Sequence, residues 1–247
     1  MKYNLPIVLL CLLCTSCYHA YYAPNTAHVP LLSQKGEAKL TAAIGTGANT
    51  EATSGEVQLA FAATKNLGFM VNGFTASQSE ETEDNHEKGS GSYIEAAPGL
   101  FMPISRNGKW RGELYAGAGT GSVTNNYGIP SSSKVGVTKA FLQPAIGYKS
   151  SYLEVAFTPK VSFINWKVKE DRVQADRDSY DKTDVDYISQ HPRFTAFEPS
   201  LIIRAGGENV KGQLGITYSS TNIKGYELTE ELLLTIGISL GFGQKNK

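Results

Sequence analysis

Hydrophobic side chains recur at every second position through most of this chain, and the clearest example runs from Val137 to Trp166. With Ser150 and Ser151 at the tip of a hairpin, Tyr148 pairs with Leu153, Ile146 with Val155, Pro144 with Phe157, Leu142 with Pro159 and Ala140 with Val161. These pairs share one face, because successive strand residues point to opposite sides. The other face carries Lys149 with Tyr152, Gly147 with Glu154, Ala145 with Ala156, Gln143 with Thr158 and Phe141 with Lys160. The apolar face must meet a second sheet or lipid.

From Gly36 onward the alternation divides into ten segments: 37–46, 55–64, 67–77, 91–103, 110–122, 137–149, 152–165, 193–205, 208–219 and 229–242. Short connections (65–66, 104–109, 150–151, 206–207) alternate with long ones (47–54, 78–90, 123–136, 166–192, 220–228). An even strand number with alternating short and long connections is the pattern of an outer-membrane barrel, with both ends of the barrel domain on the periplasmic side. The outward positions agree: Val57, Leu59, Phe61 and Ala63; Ile94, Ala96, Leu100 and Met102; Leu201 and Ile203; and Leu232 to Phe242 in alternation. Pro98, Pro144, Pro159 and Pro199 fall inside these segments, where a missing N–H predicts bulges.

Residues 1–16 form a leader, with Lys2, an apolar core from Leu5 to Leu13, and Thr15 and Ser16 before Cys17. The segment resembles a lipoprotein-type signal, which implies Cys17 as the acylated (palmitate-type) N-terminus of the exported chain, with ordinary signal cleavage nearby as the alternative. The spacing of Cys11, Cys14 and Cys17 is not read as a metal site, since the first two are discarded with the leader. Residues 17–35 are expected as an extended tether interrupted by Pro24 and Pro30, with His19 and His28 solvated. Residues 36–247 are the barrel domain, and no helix is predicted in them.

Composition narrows the function classes. The 23 basic and 23 acidic residues balance, which gives no electrostatic footprint for nucleic acid. Taking inward positions by alternation, the lumen holds Glu95, Glu113, Glu154, Glu198 and Glu231 against Arg111, Lys139, Lys160, Arg204 and Lys211. Such a set neutralises itself through buried pairs. The acidic stretch 78–90 around His86, and Asp176, Asp178, Asp184 and Asp186, have oxygen ligands in calcium-like density but lack an EF-hand's glycine turn and closing glutamate. They are expected to be solvated loops, with no metal or cofactor bound. His86 with Asp84, and His191 with Asp186, are the residues a hydrolase at the loop rim would use, if the fold brought them together.

The stretches 21–40 (YYAPNTAHVPLLSQKGEAKL), 55–74 (GEVQLAFAATKNLGFMVNGF), 141–157 (FLQPAIGYKSSYLEVAF) and 197–206 (FEPSLIIRAG) resemble a family of Gram-negative outer-membrane β-barrel lipoproteins. The resemblance implies a barrel that tolerates in-strand prolines, and it carries over no catalytic residue. The expected protein is thus all-β: a leader, a lipidated tether and an antiparallel up-and-down transmembrane barrel of about ten strands. It would sit among outer-membrane lipids, anchored on the periplasmic side, with a structural or loop-mediated binding role and no enzymatic activity. A narrow substrate channel and a rim hydrolase are the alternative functions. A lipid-tethered soluble β-sandwich or lipocalin-like barrel is the alternative fold.

Overall fold

Alternation over so many segments leaves two unsatisfied sheet edges unless the first and last strands meet, and here they do. The computed structural model describes residues 19–48, 50, 52–82, 85–128, 130–176 and 178–243, and the side chains of 80–86 are not among those described. The leader and Cys17 lie outside this range. The strands are β1 (Ala38–Gly47), β2 (Thr53–Ala62), β3 (Leu67–Thr82), β4 (Asn85–Pro103), β5 (Trp110–Tyr127), β6 (Ser132–Lys149), β7 (Leu153–Asp171), β8 (Arg193–Gly206), β9 (Val210–Tyr218), β10 (Ser220–Thr221) and β11 (Leu232–Phe242). Each long strand pairs antiparallel with the next; β11 pairs with both β9 and β1, while β10 is a two-residue graft onto β8. The result is a closed antiparallel barrel of ten strands, with no free edge in its wall.

The wall is uneven in height. Strands β3 to β7 run for 16 to 19 residues, whereas β1, β2, β9 and β11 have 9 to 11. Most of 78–90 and 123–136, expected as loops, is therefore strand. These rungs are acidic in 78–90 and rich in Gly, Ser, Thr and Asn in 123–136, so no apolar alternation marks them; cross-strand backbone pairing such as Ser90 with Thr124 and Asn125 with Ser133 holds them in the ladder. The connection 166–192 also contains a helix, α1 (Ser179–Gln190), where none was expected. Only Val185 and Ile188 are buried on it, too few to mark a helix by periodicity alone, and tertiary packing stabilises it. One end of the barrel thus carries α1 and the 219–231 loop, and the other carries short turns.

The β6–β7 hairpin keeps its predicted faces with a register shifted by two. Tyr148 lies opposite Val155 and Ile146 opposite Phe157. Ser150 causes this: its N–H bonds the Leu153 carbonyl at 2.8 Å and its hydroxyl accepts the Leu153 N–H at 3.0 Å, which widens the turn. A slip of two residues leaves every side chain on its own face.

The in-strand prolines produce no bulge. Register is the same on either side of them, from Leu142 opposite Val161 to Ile146 opposite Phe157, which sets Pro144 across from Pro159; Pro159 in turn faces Pro199. Aligning residues that all lack an N–H confines the interruption to one row of the ladder. The Thr158 hydroxyl donates to the freed Pro144 carbonyl at 2.6 Å.

Large apolar side chains cover the outside. Ile44, Val57, Leu59, Phe69, Ile94, Leu114, Leu142, Phe163, Leu214, Ile236 and Ile238 are all exposed, and Trp110 and Tyr152 ring the short-turn end. An apolar belt with rim aromatics on a closed barrel is the surface that lipid covers.

Candidate functional site

The lumen holds the feature that alternation could not announce. Residues 19–35, expected as a solvated tether outside the barrel, run through its interior. Tyr21, Val29, Leu31 and Leu32 are fully buried, as are Thr26 and His28. The segment has no carboxylate, lysine or arginine between His19 and Gln34, so it enters a charged interior without adding formal charge. Extended by its prolines, it exposes backbone amides and carbonyls on all sides, and the wall supplies their partners.

These partners descend in order along the wall. At the long-loop end, Trp166 Nε1 donates to the Tyr21 carbonyl at 3.2 Å, the Tyr21 and Tyr127 hydroxyls bond each other, and the Tyr21 N–H bonds the Leu228 carbonyl at 2.8 Å. Further in, Tyr93 donates to the Ala23 carbonyl at 3.0 Å, the Thr26 N–H to Glu56 at 2.9 Å, Gln58 to the Thr26 carbonyl at 2.8 Å and Gln143 to the His28 carbonyl at 2.8 Å. Arg204 then reaches the Val29 carbonyl at 2.8 Å, the Leu32 N–H bonds Glu113 at 2.9 Å, and Arg111 donates to the Leu32 carbonyl at 3.0 Å. Leu31, at φ 51°, turns the backbone there; its buried side chain packs with Val29, Ala156 and Ile202. At the short-turn end the Gly36 N–H meets the Ala62 carbonyl, and β1 begins.

The predicted lumen charges form two cages around this segment. In the first, Glu95 accepts from Lys139, from Lys160 at 3.4 Å and from Asn25 at 3.1 Å, while Glu198 takes the Tyr22 hydroxyl at 2.5 Å and the Ser162 hydroxyl at 2.5 Å. In the second, Glu154 accepts from Lys39 at 2.6 Å and Arg204 at 3.1 Å, with Lys211 at 3.7 Å. Glu113 and Arg111 serve the segment's backbone as above. Glu231 departs from the set: β11 starts only at Leu232, so alternation does not reach it, and it is exposed. Its neighbour Glu230 is buried instead and takes the Thr50 N–H and hydroxyl at 3.0 and 2.6 Å. Glu37, Lys39, Glu56 and Lys149 also turn inward, as alternation requires, though the predicted set did not include them. Lys149 bridges Glu37 at 2.5 Å and the Leu31 carbonyl at 2.8 Å.

Small wall residues make room for the segment. A Cβ on Gly147 would lie 2.5 Å from Leu31, and one on Gly68 would lie 2.9 Å from Leu32. Gly147→Leu is expected to expel the lower part of the segment, lowering the unfolding midpoint in urea and exposing 29–34 to protease, while Gly112→Leu, in a looser position, should change neither much.

No protein-family model matches the chain, and no curated protein sequence matches it. Among solved structures, the N-terminal β-barrel domain of Pseudomonas aeruginosa OprF is 10% identical with a TM-score of 0.37, over 85% of this chain and 100% of that one. The NanC porin is 10% identical with a TM-score of 0.36, over 81% and 98%. A loop-deletion mutant of OmpT, an outer membrane protein of Vibrio cholerae, is 5% identical with a TM-score of 0.27, over 85% and 99%. The barrel assignment stands on the closed ladder and not on these likenesses.

Of the rim residues weighed for hydrolysis, the described pair His191 and Asp186 have other partners. His191 ends α1, stacked on Tyr187 with ring centroids 4.5 Å apart, and Asp186 pairs with Lys182 at 2.9 Å. Asp84 and the His86 side chain lie outside the described residues. Asp184 and Asp186, two positions apart on a helix, point to different faces. The two tether histidines are also separated. His28 is bonded through Nδ1 to Asn72 at 3.1 Å in the lumen, and His19 sits at the rim, 3.3 Å from Asp181 and 3.5 Å from Glu87.

Docking of α1 at this rim is expected to depend on pH through Asp184. Burial, reinforced by Asp181, pushes the Asp184 carboxyl up to about 6, and His19 opposes the shift. A carboxyl raised above its unfolded value favours the docked helix while protonated, so docking weakens as pH rises through about 6. Proteolysis within 172–190 is therefore expected to be slower at pH 5.5 than at pH 8, and Asp184→Asn should reduce that difference.

Proposed function

We propose that this chain is an outer-membrane β-barrel lipoprotein, plugged by its own N-terminal segment, that acts through its rim as a structural or binding protein and not as an enzyme or open channel. The observation that carries the reading is the burial of an uncharged extended segment along the whole lumen, hydrogen-bonded at successive heights by wall residues. A ten-stranded barrel encloses little more than its own side chains, and a further strand within it leaves no continuous water path. The apolar outer belt supports a membrane location, and the leader ending at Cys17 supports lipidation.

The test joins two measurements. Cys17→Ser protein should still fractionate with the outer membrane, and unboiled protein should migrate differently from boiled protein on a detergent gel. Release of the variant into the soluble fraction, together with identical migration, would instead favour a tethered soluble domain.

A further inference from the structure

An anchor beneath the barrel requires the chain to leave through the short-turn end, yet its described start lies at the opposite end. Gly36 enters β1 among the short turns, but His19 touches Glu87 of β4, Asp181 of α1 and the ring of Tyr127 at 4.7 Å. Between them the bonding partners descend one wall strand in sequence order reversed, from Tyr127 to Glu113 to Arg111 on β5 and from Glu198 to Arg204 on β8 read forward. Both directions run from the long-loop end to the short-turn end, so the segment crosses the full barrel. Cys17 precedes His19 by two residues in the sequence.

We propose that the N-terminal end of the chain emerges at the outer face, among the long loops, so that an acyl group on Cys17 is presented to the outer leaflet of the outer membrane. The membrane and the lipid come from the proposed function above, and the direction comes from the strands that overshoot the apolar belt at the long-loop end. Beside the tall strands β3 to β7, the rim at β9, β11, β1 and β2 is low, bounded by Tyr218, Leu232, Gly47 and Thr53. His19 itself lies against the tall side, beside Glu87 of β4 and Tyr127 of β5. The partner is thus a lipid surface, reached from outside.

The test places an epitope between Tyr18 and His19, with separate control epitopes in the 104–109 turn and the 222–225 loop, and probes whole cells with antibody. Tags at 18/19 and 222–225 should bind on intact cells and the 104–109 tag only after permeabilisation, and labelled palmitate should mark the protein unless Cys17 is serine. A 222–225 tag that binds while the 18/19 tag does not would overturn outward emergence and leave the barrel reading intact. The reverse pattern in the two controls overturns the orientation itself. An accessible 18/19 tag on unlabelled protein overturns the lipid half of the proposal. Should the insertion prevent folding, judged by loss of the gel shift, Tyr18→Cys in a Cys17→Ser chain takes its place: labelling by a membrane-impermeant maleimide on intact cells supports emergence, and protection overturns it.

Discussion

Glu95→Ala is expected to destabilise the folded barrel by about 3–5 kcal/mol, the range for removing one partner of a buried charge cluster. Glu95 is the shared acceptor of Lys139, Lys160 and Asn25, and all four are buried. Its loss strands two ammonium groups in the lumen, with Glu198 3.9 Å from Lys160 as the carboxylate left to them, and removes an anchor of the N-terminal segment. Urea unfolding followed by the gel shift of folded protein would measure the change. Glu170→Ala, which breaks an exposed pair with Arg172, should cost less than about 1 kcal/mol and serves as the comparison. A loss of similar size in both variants would mean that the cage contributes nothing particular.

Deleting residues 20–34 while keeping the leader and β1 should convert a silent barrel into one that conducts. Wild-type protein in a planar bilayer is expected to show no steady steps, because the segment occupies the lumen from Tyr21 to Leu32. Without it, the wall groups that bonded its backbone, among them Glu56, Gln58, Glu113, Gln143 and Arg204, face an aqueous space. Buried Glu37, Glu56, Glu95, Glu113, Glu154, Glu198 and Glu230 are matched by Lys39, Arg111, Lys139, Lys160, Arg204 and Lys211, with Lys149 half-buried beside them. Such balance predicts weak ion selectivity. A deleted variant that folds, by gel shift, and still does not conduct would show that wall side chains alone close the pore. Wild-type protein that conducts equally would remove the plug from the account.

Period-2 alternation was a sufficient guide to the wall because each strand residue has only two faces to choose between. The inward positions of Glu95, Lys139, Glu154, Lys160, Glu198 and Arg204, and the lipid-facing row from Leu232 to Phe242, follow from that rule alone, even where the β6–β7 register slips by two. The rule fails where strand order ends: Glu231 lies one residue before β11, and the upper rungs of β4 and β5 alternate nothing hydrophobic. Helix α1 escaped for a related reason, since its two buried residues signal packing against Tyr21, Trp166 and Leu228 and not a local period.

The sequence by itself determined the two-faced strands, apolar outward and charge-balanced inward, and the pairing of β1 with β11 closed them into a barrel. Only the tertiary structure decided what those charges are for. Residues 19–34 have the composition of a tether, with two prolines, polar residues and no alternation, and that composition is also what an extended strand without sheet partners needs to lie in a lumen. Local sequence cannot separate the two, because the wall bonds that hold the segment in the lumen come from far along the chain, from 30 residues away for Thr26 on Glu56 and 176 for Tyr22 on Glu198.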